Sequence, residues 1–540
     1  MPDTLQQIPG NAPAVNRPDY RRPEYVDLAP VRRLSRAMMQ GTRAVRALGT
    51  DALPKWPDEK MGFYKLRSSI AQVTRYYART VEALVGMVAG TPPTLAEDTD
   101  ARIVADWEDI DRRGRHGDVF VRDLTEEALV GGFAAILVDA PPVPEGMRLT
   151  LENEQRMGLR PYWVLITADQ IVSWIVEAPN WPALMSAYQA GQLTDTQVGV
   201  LAGQQITRQV VLYEPADVVA GDFGTVSRER YRVLRLTDTG VTFVVWEKRK
   251  SEGAAGEHFV IVDQGVMTGA NRRPLPAIPL AVCYSKRPLA PFVAEPTAMG
   301  VCDLNLDHYQ LTADRRYLIK HTHSPTLYLF GVQAERDEHG QEKPIRVGPN
   351  SLIRSNNADA KAGYIVAPAD ALTSSKEERD EIVRQIAALG LSFLGKDRQQ
   401  GTETAKGREL DLSAEHATHA SIARAVQDAL EQALMFHALH RNAEAPSVQM
   451  HPATPAPDVD PQIAALLWQG VLNGRLDVDS WLHYMRTGTL PDDLDTDGLT
   501  ARLLAEAEAL DSVNAERVRD QQQTGDDEGG DEAADEGVAA

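Results

Sequence analysis

Apolar positions recur every three to four residues through Lys65-LRSSIAQVTRYYARTVEALVGMVAG, where Ile70, Val73, Tyr77, Val81 and Leu84 share one helical face. The spacing predicts one amphipathic helix closed by the breaker Thr91-Pro92-Pro93, behind an earlier helix over Val31-RRLSRAMMQGTRAVRALG. A further helix, Val119 to Leu129, leads into Gly131-GFAAILVDAPP, an unbroken apolar run with the character of a buried strand. From Pro161 to Pro279 the period shortens to two. Tyr162-WVLI, Gln170-IVSWIV, Gln209-VVLYE, Arg230-YRVLRL, Val241-TFVVWEKR, Phe259-VIVD and Ile278-PLAVCYS read as half-buried antiparallel strands separated by turn residues. Residues 25–294 are therefore expected to form a mixed α+β domain. No repeat of solenoid or propeller length is present.

The pattern changes again after Ala294. A helical segment opens at Glu295-Pro296, a proline position suited to a helix start, and runs to His323. The insert 324–372 alternates short β-like runs (Pro325-TLYLFG, Lys343-PIRVG, Asn350-SLIRS, Gly363-YIVAP) with Gly, Pro and Asn breakers. A second helix begins near Ser374, pauses at the polar loop LGKDRQQG, and a long helix follows from Thr404 to about His440. Ala453-TPAPDVDP is a Pro-rich linker, and the segments from Gln462 and Leu499 predict three short terminal helices. Helix, small β module, helix, loop, long helix is an order suited to building something rather than to catalysis.

Composition narrows the class. A content of 43% hydrophobic and 25% charged residues is that of an ordinary globular chain. Residues 1–24, with five prolines up to Pro23, read as a flexible arm. Residues 521–540 read as a disordered tail, since GDDEGGDEAADEGVAA holds seven carboxylates and no cation. No apolar h-region opens the chain and no run approaches the roughly 18 residues that span a bilayer, so a soluble, non-secreted protein is expected. Cys283 and Cys302 are too few for a disulfide framework and lack zinc spacing, which leaves two reduced buried thiols. A net charge of −21 argues against a static, high-affinity nucleic-acid binder but leaves transient contact with DNA open.

No candidate chemistry outweighs a structural role. His416 and His419, like His437 and His440, are three apart, whereas a metalloprotease helix needs two His four apart with a Glu between. His321 and His323 end a helix, where imidazolium suits the terminal carbonyls. Gly401-TETAKG lacks the order of a phosphate-cradling loop, and Gly253-AAG and Gly131-Gly132 read as turn or packing glycines. Asp303 and Asp307 share a helical face, read foremost as a solvated acidic face. With His308 they give the competing reading, a metal-dependent hydrolase or nuclease.

Several stretches together resemble bacteriophage portal proteins. They are Arg79-TVEALVGMVAGTPP, Glu126-EALVGGFAAILVDAP, Ile166-TADQIVSW, Leu304-NLDHYQLTADRRYLIKHTHSPTLYLFG and Glu403-TAKGRELDLSAEHATHASIARAVQDALEQAL. The resemblance covers roughly residues 64–440. Ala89-Gly90 departs from it, since relatives carry bulkier residues before the prolines, as does the His-rich long helix. It implies an α+β portal-like fold: a wing (25–294), stem helices (295–323 and 373–392), a small α/β clip between them (324–372) and a tunnel loop (393–403). A long kinked wing helix (404–445), a linker (446–461) and a helical crown (462–520) would follow. The implied role is a ring at one capsid vertex of the virion, assembled in the host bacterial cytoplasm and usually dodecameric. Implied partners are double-stranded DNA passing the lumen, the terminase large subunit, major capsid and scaffolding proteins, and neck or tail adaptors; no membrane, cofactor or catalysis is implied. Lys396 and Arg398, on the implied tunnel loop, are the candidate DNA-proximal residues. A non-ring head–tail adaptor is the remaining alternative.

Overall fold

Strand β3 (Phe133–Asp139) explains its own unbroken apolar sequence. Ala134, Ile136 and Val138 enter one core while Phe133, Ala135 and Leu137 enter another, so both faces are covered. β3 lies between β12 (Leu280–Tyr284) and β4 (Tyr162–Thr167), antiparallel to both. The computed structural model describes residues 7–9, 11–141, 156–177, 181–194, 206–219, 222–250, 256–323, 326–331, 357–365, 369–394, 405–452, 461–472 and 478–487, with a few single positions between them. They fall in two units, Met1–Ala453 and Thr454–Ala540.

In the first unit, the alternating segments form an antiparallel six-stranded sheet. Its order is β1 (Gln7–Pro9), β11 (Glu257–Val266), β10 (Gly240–Lys250), β9 (Arg230–Thr237), β6 (Ile206–Tyr213) and β5 (Ile171–Glu177). Its inward residues, among them Trp174, Val210, Leu212, Tyr231, Leu234 and Phe259, pack with Phe292 and the β3 face carrying Phe133. The segment read as a flexible arm contributes β1, with Ile8 opposite Phe259. Arg22 ties the arm further by donating to the Trp174 carbonyl at 3.0 Å.

The other core is helical. Pro23–Gln40, Tyr76–Ala89, Gly117–Gly131 and the 37-residue helix Ala405–Arg441 gather around the second face of the three-stranded sheet. The long helix runs without interruption, and from Ile422 to Ala438 it buries Val426, Leu430, Leu434 and Phe436. Gly132 leaves the Gly117–Gly131 helix at φ +88°, and a Cβ there would meet the Ala294 carbonyl oxygen at 2.4 Å, so glycine is required.

The helix expected over residues 65–90 is two helices, Met61–Ile70 and Tyr76–Ala89. The break is stabilised from elsewhere in the chain. Arg316 donates to the Ile70 carbonyl, Thr42 Oγ1 accepts from Val73 N, and Asn305 donates to the Thr74 carbonyl. These partners replace the hydrogen bonds a continuous helix would have made.

In the second unit, helices Pro461–Leu472 and Val478–Thr487 pack together, with Trp468 and Trp481 ring centroids 4.7 Å apart. The helix expected from Leu499 and the acidic tail lie outside the described residues.

Candidate functional site

Among the described residues the segment following Ala294 is the distinctive feature. Helix Met299–His323 starts four residues later than Glu295-Pro296 suggested. The preceding turn is held instead by Thr297, whose N–H donates to the Leu129 carbonyl at 2.8 Å and whose hydroxyl donates to Ser285 at 2.7 Å. The helix is joined by the hairpin of β13 (Thr326–Phe330) and β14 (Lys361–Ile365) to helix Ala369–Leu394, which begins ahead of the expected Ser374. The two helices pack antiparallel, with Leu389 beside Gly300 and Arg379 near His308. The β-like runs at Lys343 and Asn350 lie outside the described residues.

Three buried polar attachments fix this segment to the body. Asn305, fully buried, accepts from Tyr77 N at 3.0 Å and donates to the Thr74 carbonyl at 2.9 Å. Further along, Asp314 takes one nitrogen of Arg67 at 2.8 Å, while Glu59 takes two others at 3.1 and 2.9 Å. The Arg67 bonds hold the Glu59 carboxyl below the usual carboxylate range. At the far end of the long helix, Asp106 accepts from Arg441 at 2.8 and 2.7 Å and bonds His437 Nε2 at 2.9 Å. Burial alone would raise the Asp106 carboxyl, but the His437 and Arg441 bonds outweigh it and hold the pKa low. Such clusters lock a position because deleting one member strands a buried charge, a cost of about 3–5 kcal/mol.

The structure separates the residues of the metal reading. Asp303 and Asp307 are exposed, whereas His308 is buried with its ring edge-on to Tyr76 at 5.3 Å. Among the described residues no group of three or more His, Cys, Asp or Glu is placed to hold a metal ion. The histidine pair of the long helix also divides: His437 bonds Asp106, while the His440 ring is pushed down to about 4 by burial and by His437. His419 is buried, His323 is exposed at its helix end, and the side chains of His321 and His416 lie outside the described set. Cys283 and Cys302 are buried, and burial pushes both thiols up to about 12. Lys396 and Arg398 lie outside the described residues, as does the loop that carries them. Sequence reading passed over Asp106, although Asp100 as N-cap ahead of Ile103 and Trp107 was a readable helix-start signal. Among the described residues no helix is long and apolar enough to cross a membrane.

One family model matches, described as Domain of unknown function (DUF4055), over residues 299–440. That match spans helices Met299–His323 and Ala369–Leu394 and nearly all of the long helix, about a quarter of the chain. No curated protein matches. Among solved structures, the chain is similar to the neck of the native GTA particle computed with C12 symmetry, at 10% identity, covering 74% of this chain and 85% of that one, TM-score 0.33. It is similar to the neck of the empty GTA particle computed with C6 symmetry, at 12% identity, 81% and 95% coverage and TM-score 0.35. A third is the virion of the native gene transfer agent particle, at 12% identity, 80% and 93% coverage and TM-score 0.33. Scores of this size do not establish a common fold, and the functional reading rests on the chain's own residues and elements.

Proposed function

We propose that this chain is a portal-type subunit. Copies would form a closed ring at one capsid vertex, pass double-stranded DNA through its lumen, and dock the terminase large subunit and later neck or tail proteins. One observation carries the reading. Helix Met299–His323, the β13–β14 hairpin, helix Ala369–Leu394 and helix Ala405–Arg441 follow one another in the order that the sequence resemblance assigns to stem, clip, stem and long wing helix. The α+β body on which they sit corresponds to the wing. On this reading the protein is structural, takes no cofactor, and resides in the virion.

The chemistry of the chain suits a conduit. Repeating even one phosphate contact around a ring adds up to strong, salt-dependent binding that would stall movement, and a net charge of −21 opposes such grip. Lys396 and Arg398 would supply the few cations that steady the duplex from a loop between two helices. Substituting both should impair DNA retention; unchanged packaging and retention would remove them from the DNA path.

Native mass spectrometry of the full-length chain tests the main reading. A ring of roughly twelve copies of the 59.3 kDa subunit is the expected species. A chain that stays monomeric with scaffolding protein present and at high concentration, or one that hydrolyses nucleic acid with a divalent metal, refutes it.

A further inference from the structure

Segment 54–65 is held more firmly than a surface loop requires. Arg67, 1% exposed, takes the Pro54 carbonyl at 2.6 Å as well as Glu59 and Asp314, and its guanidinium lies 4.2 Å from the Trp56 ring centroid. Glu59 in turn accepts from Trp56 N at 3.1 Å, and the Trp56 ring stands 5.4 Å edge-on from Tyr317. Yet this fixed frame presents apolar side chains to solvent: Trp56 is 38%, Met61 57% and Phe63 46% exposed. Lys60 and Lys65 stand exposed among them beside Asp58, and no ion pair engages either lysine among the described residues, while Lys55 lies close enough to Glu59 to lower its carboxyl. Aromatic residues and Met are enriched at protein interfaces, and groups already immobilised lose little entropy on binding.

We propose that this patch docks onto a second copy of this chain, at the helix face carrying Asp303 and Asp307. Charge complementarity selects that occupant. The chain carries an excess of 21 negative charges, so a second copy is an acidic partner for Lys60 and Lys65. Asp303 and Asp307 are exposed, four residues apart and engaged in no ion pair among the described residues. Like charges at that spacing destabilise a helix until a cation arrives. Exposed Leu389, packed beside Gly300 on the neighbouring helix, adds an apolar surface near the carboxylates. A phosphate backbone would use the lysines but leave Trp56, Met61 and Phe63 without partners. Taken head-to-tail, with the patch of one copy on the carboxylates of the next, the contact is of the kind that closes into rings. The inference rests on the ring reading above and names one of its contacts.

Light scattering behind size exclusion on the full-length chain tests it, comparing wild type with Lys60→Glu/Lys65→Glu, Asp303→Lys/Asp307→Lys and the combination of all four. Each double reversal should raise the half-assembly concentration at least about tenfold, and the combination should restore assembly. Met61→Asp/Phe63→Asp should weaken assembly without being rescued, and unchanged thermal unfolding would show that each variant folds. If wild type and both double reversals assemble alike, this contact is wrong while the ring reading stands. A wild-type chain that stays monomeric at every concentration, with scaffolding protein present, overturns both. Reversals that assemble normally but lose a duplex DNA probe overturn the contact and give the patch to nucleic acid.

Discussion

Acidification should destabilise the body of this protein through His440, in addition to buried His308, whose ring burial also pushes down. Its Nε2 is buried with no hydrogen-bond partner, and neighbouring His437 is committed to Asp106 at 2.9 Å. Burial, and then His437, push the ring from 6.5 down to about 4, with Asp139 opposing. A base with a depressed folded pKa binds its proton in the unfolded chain first, so stability is intact above 6.5 and is lost as pH falls toward 4. At pH 5 the unfolded ring is almost fully protonated and the folded ring about one-tenth so, which amounts to about 2 kcal/mol of lost stability. His440→Gln removes the titration while keeping a polar side chain of similar reach. Denaturant unfolding of both proteins, followed by tryptophan fluorescence from pH 7.5 to 5, isolates the effect as a difference. The wild type should lose about 2 kcal/mol more than the variant over that range. Parallel pH profiles would refute the reasoning, because the buried ring would then not be titrating out of register with the unfolded chain.

Other substitutions probe the remaining attachments. Asp106→Ala removes the buried carboxylate that Arg441 and His437 share and should cost about 3–5 kcal/mol in denaturant unfolding at neutral pH; a loss under 1 kcal/mol would show that the cluster is solvated. Asn305→Leu leaves the Tyr77 N–H and the Thr74 carbonyl without their partner and should cost about 2–4 kcal/mol; protection of the Tyr77 amide against hydrogen exchange should fall with it. Gly132→Ala places a Cβ 2.4 Å from the Ala294 oxygen at a positive φ, so soluble yield and melting temperature should both drop. A variant that melts like wild type would mean the turn relaxes.

The strands were legible because alternation is local: each of the seven expected runs from residue 162 to residue 284 is a strand. The long helix was legible for the same reason, with its observed ends within a residue or so of Thr404 and His440. The break at residues 71–75 was not. Val73 keeps the helical spacing, and what replaces the helical bonds there comes from Thr42, Arg316 and Asn305, the last two more than 200 residues away in sequence. The start of helix Met299–His323 was misplaced because the proline rule is local, while the turn before it is set by hydrogen bonds to Leu129 and Ser285. The spacing of His437 and His440 was visible, but their separate duties depend on Asp106, which no motif marks. Local pattern gave the elements, and distant polar contacts set where they begin, break and anchor.

The same logic divides helix Met299–His323 along its length. One stripe carries Cys302, Asn305, Tyr309 and Ala313, all buried in the helical core. Continued at helical spacing, that stripe becomes Arg316, Lys320 and His323, all exposed. The core therefore ends near Ala313 while the helix continues. Its first half is held by the body, where one packed asparagine and one ion cluster fix its position. Its second half keeps the body along one edge, where Asp314 takes Arg67, Arg316 donates to the Ile70 carbonyl and Tyr317 meets the Trp56 ring. Beyond these, among the described residues, it has the paired helix and the hairpin beside it, and an isolated two-stranded hairpin is marginal in water. Among the described residues Tyr328, Phe330 and Tyr364 stand exposed at the end of this extension, and on the ring reading proposed above other copies would complete their packing. Substitutions at Tyr309 should accordingly be read out as lost folding, and those at Lys320 or Phe330 as lost assembly of a folded chain.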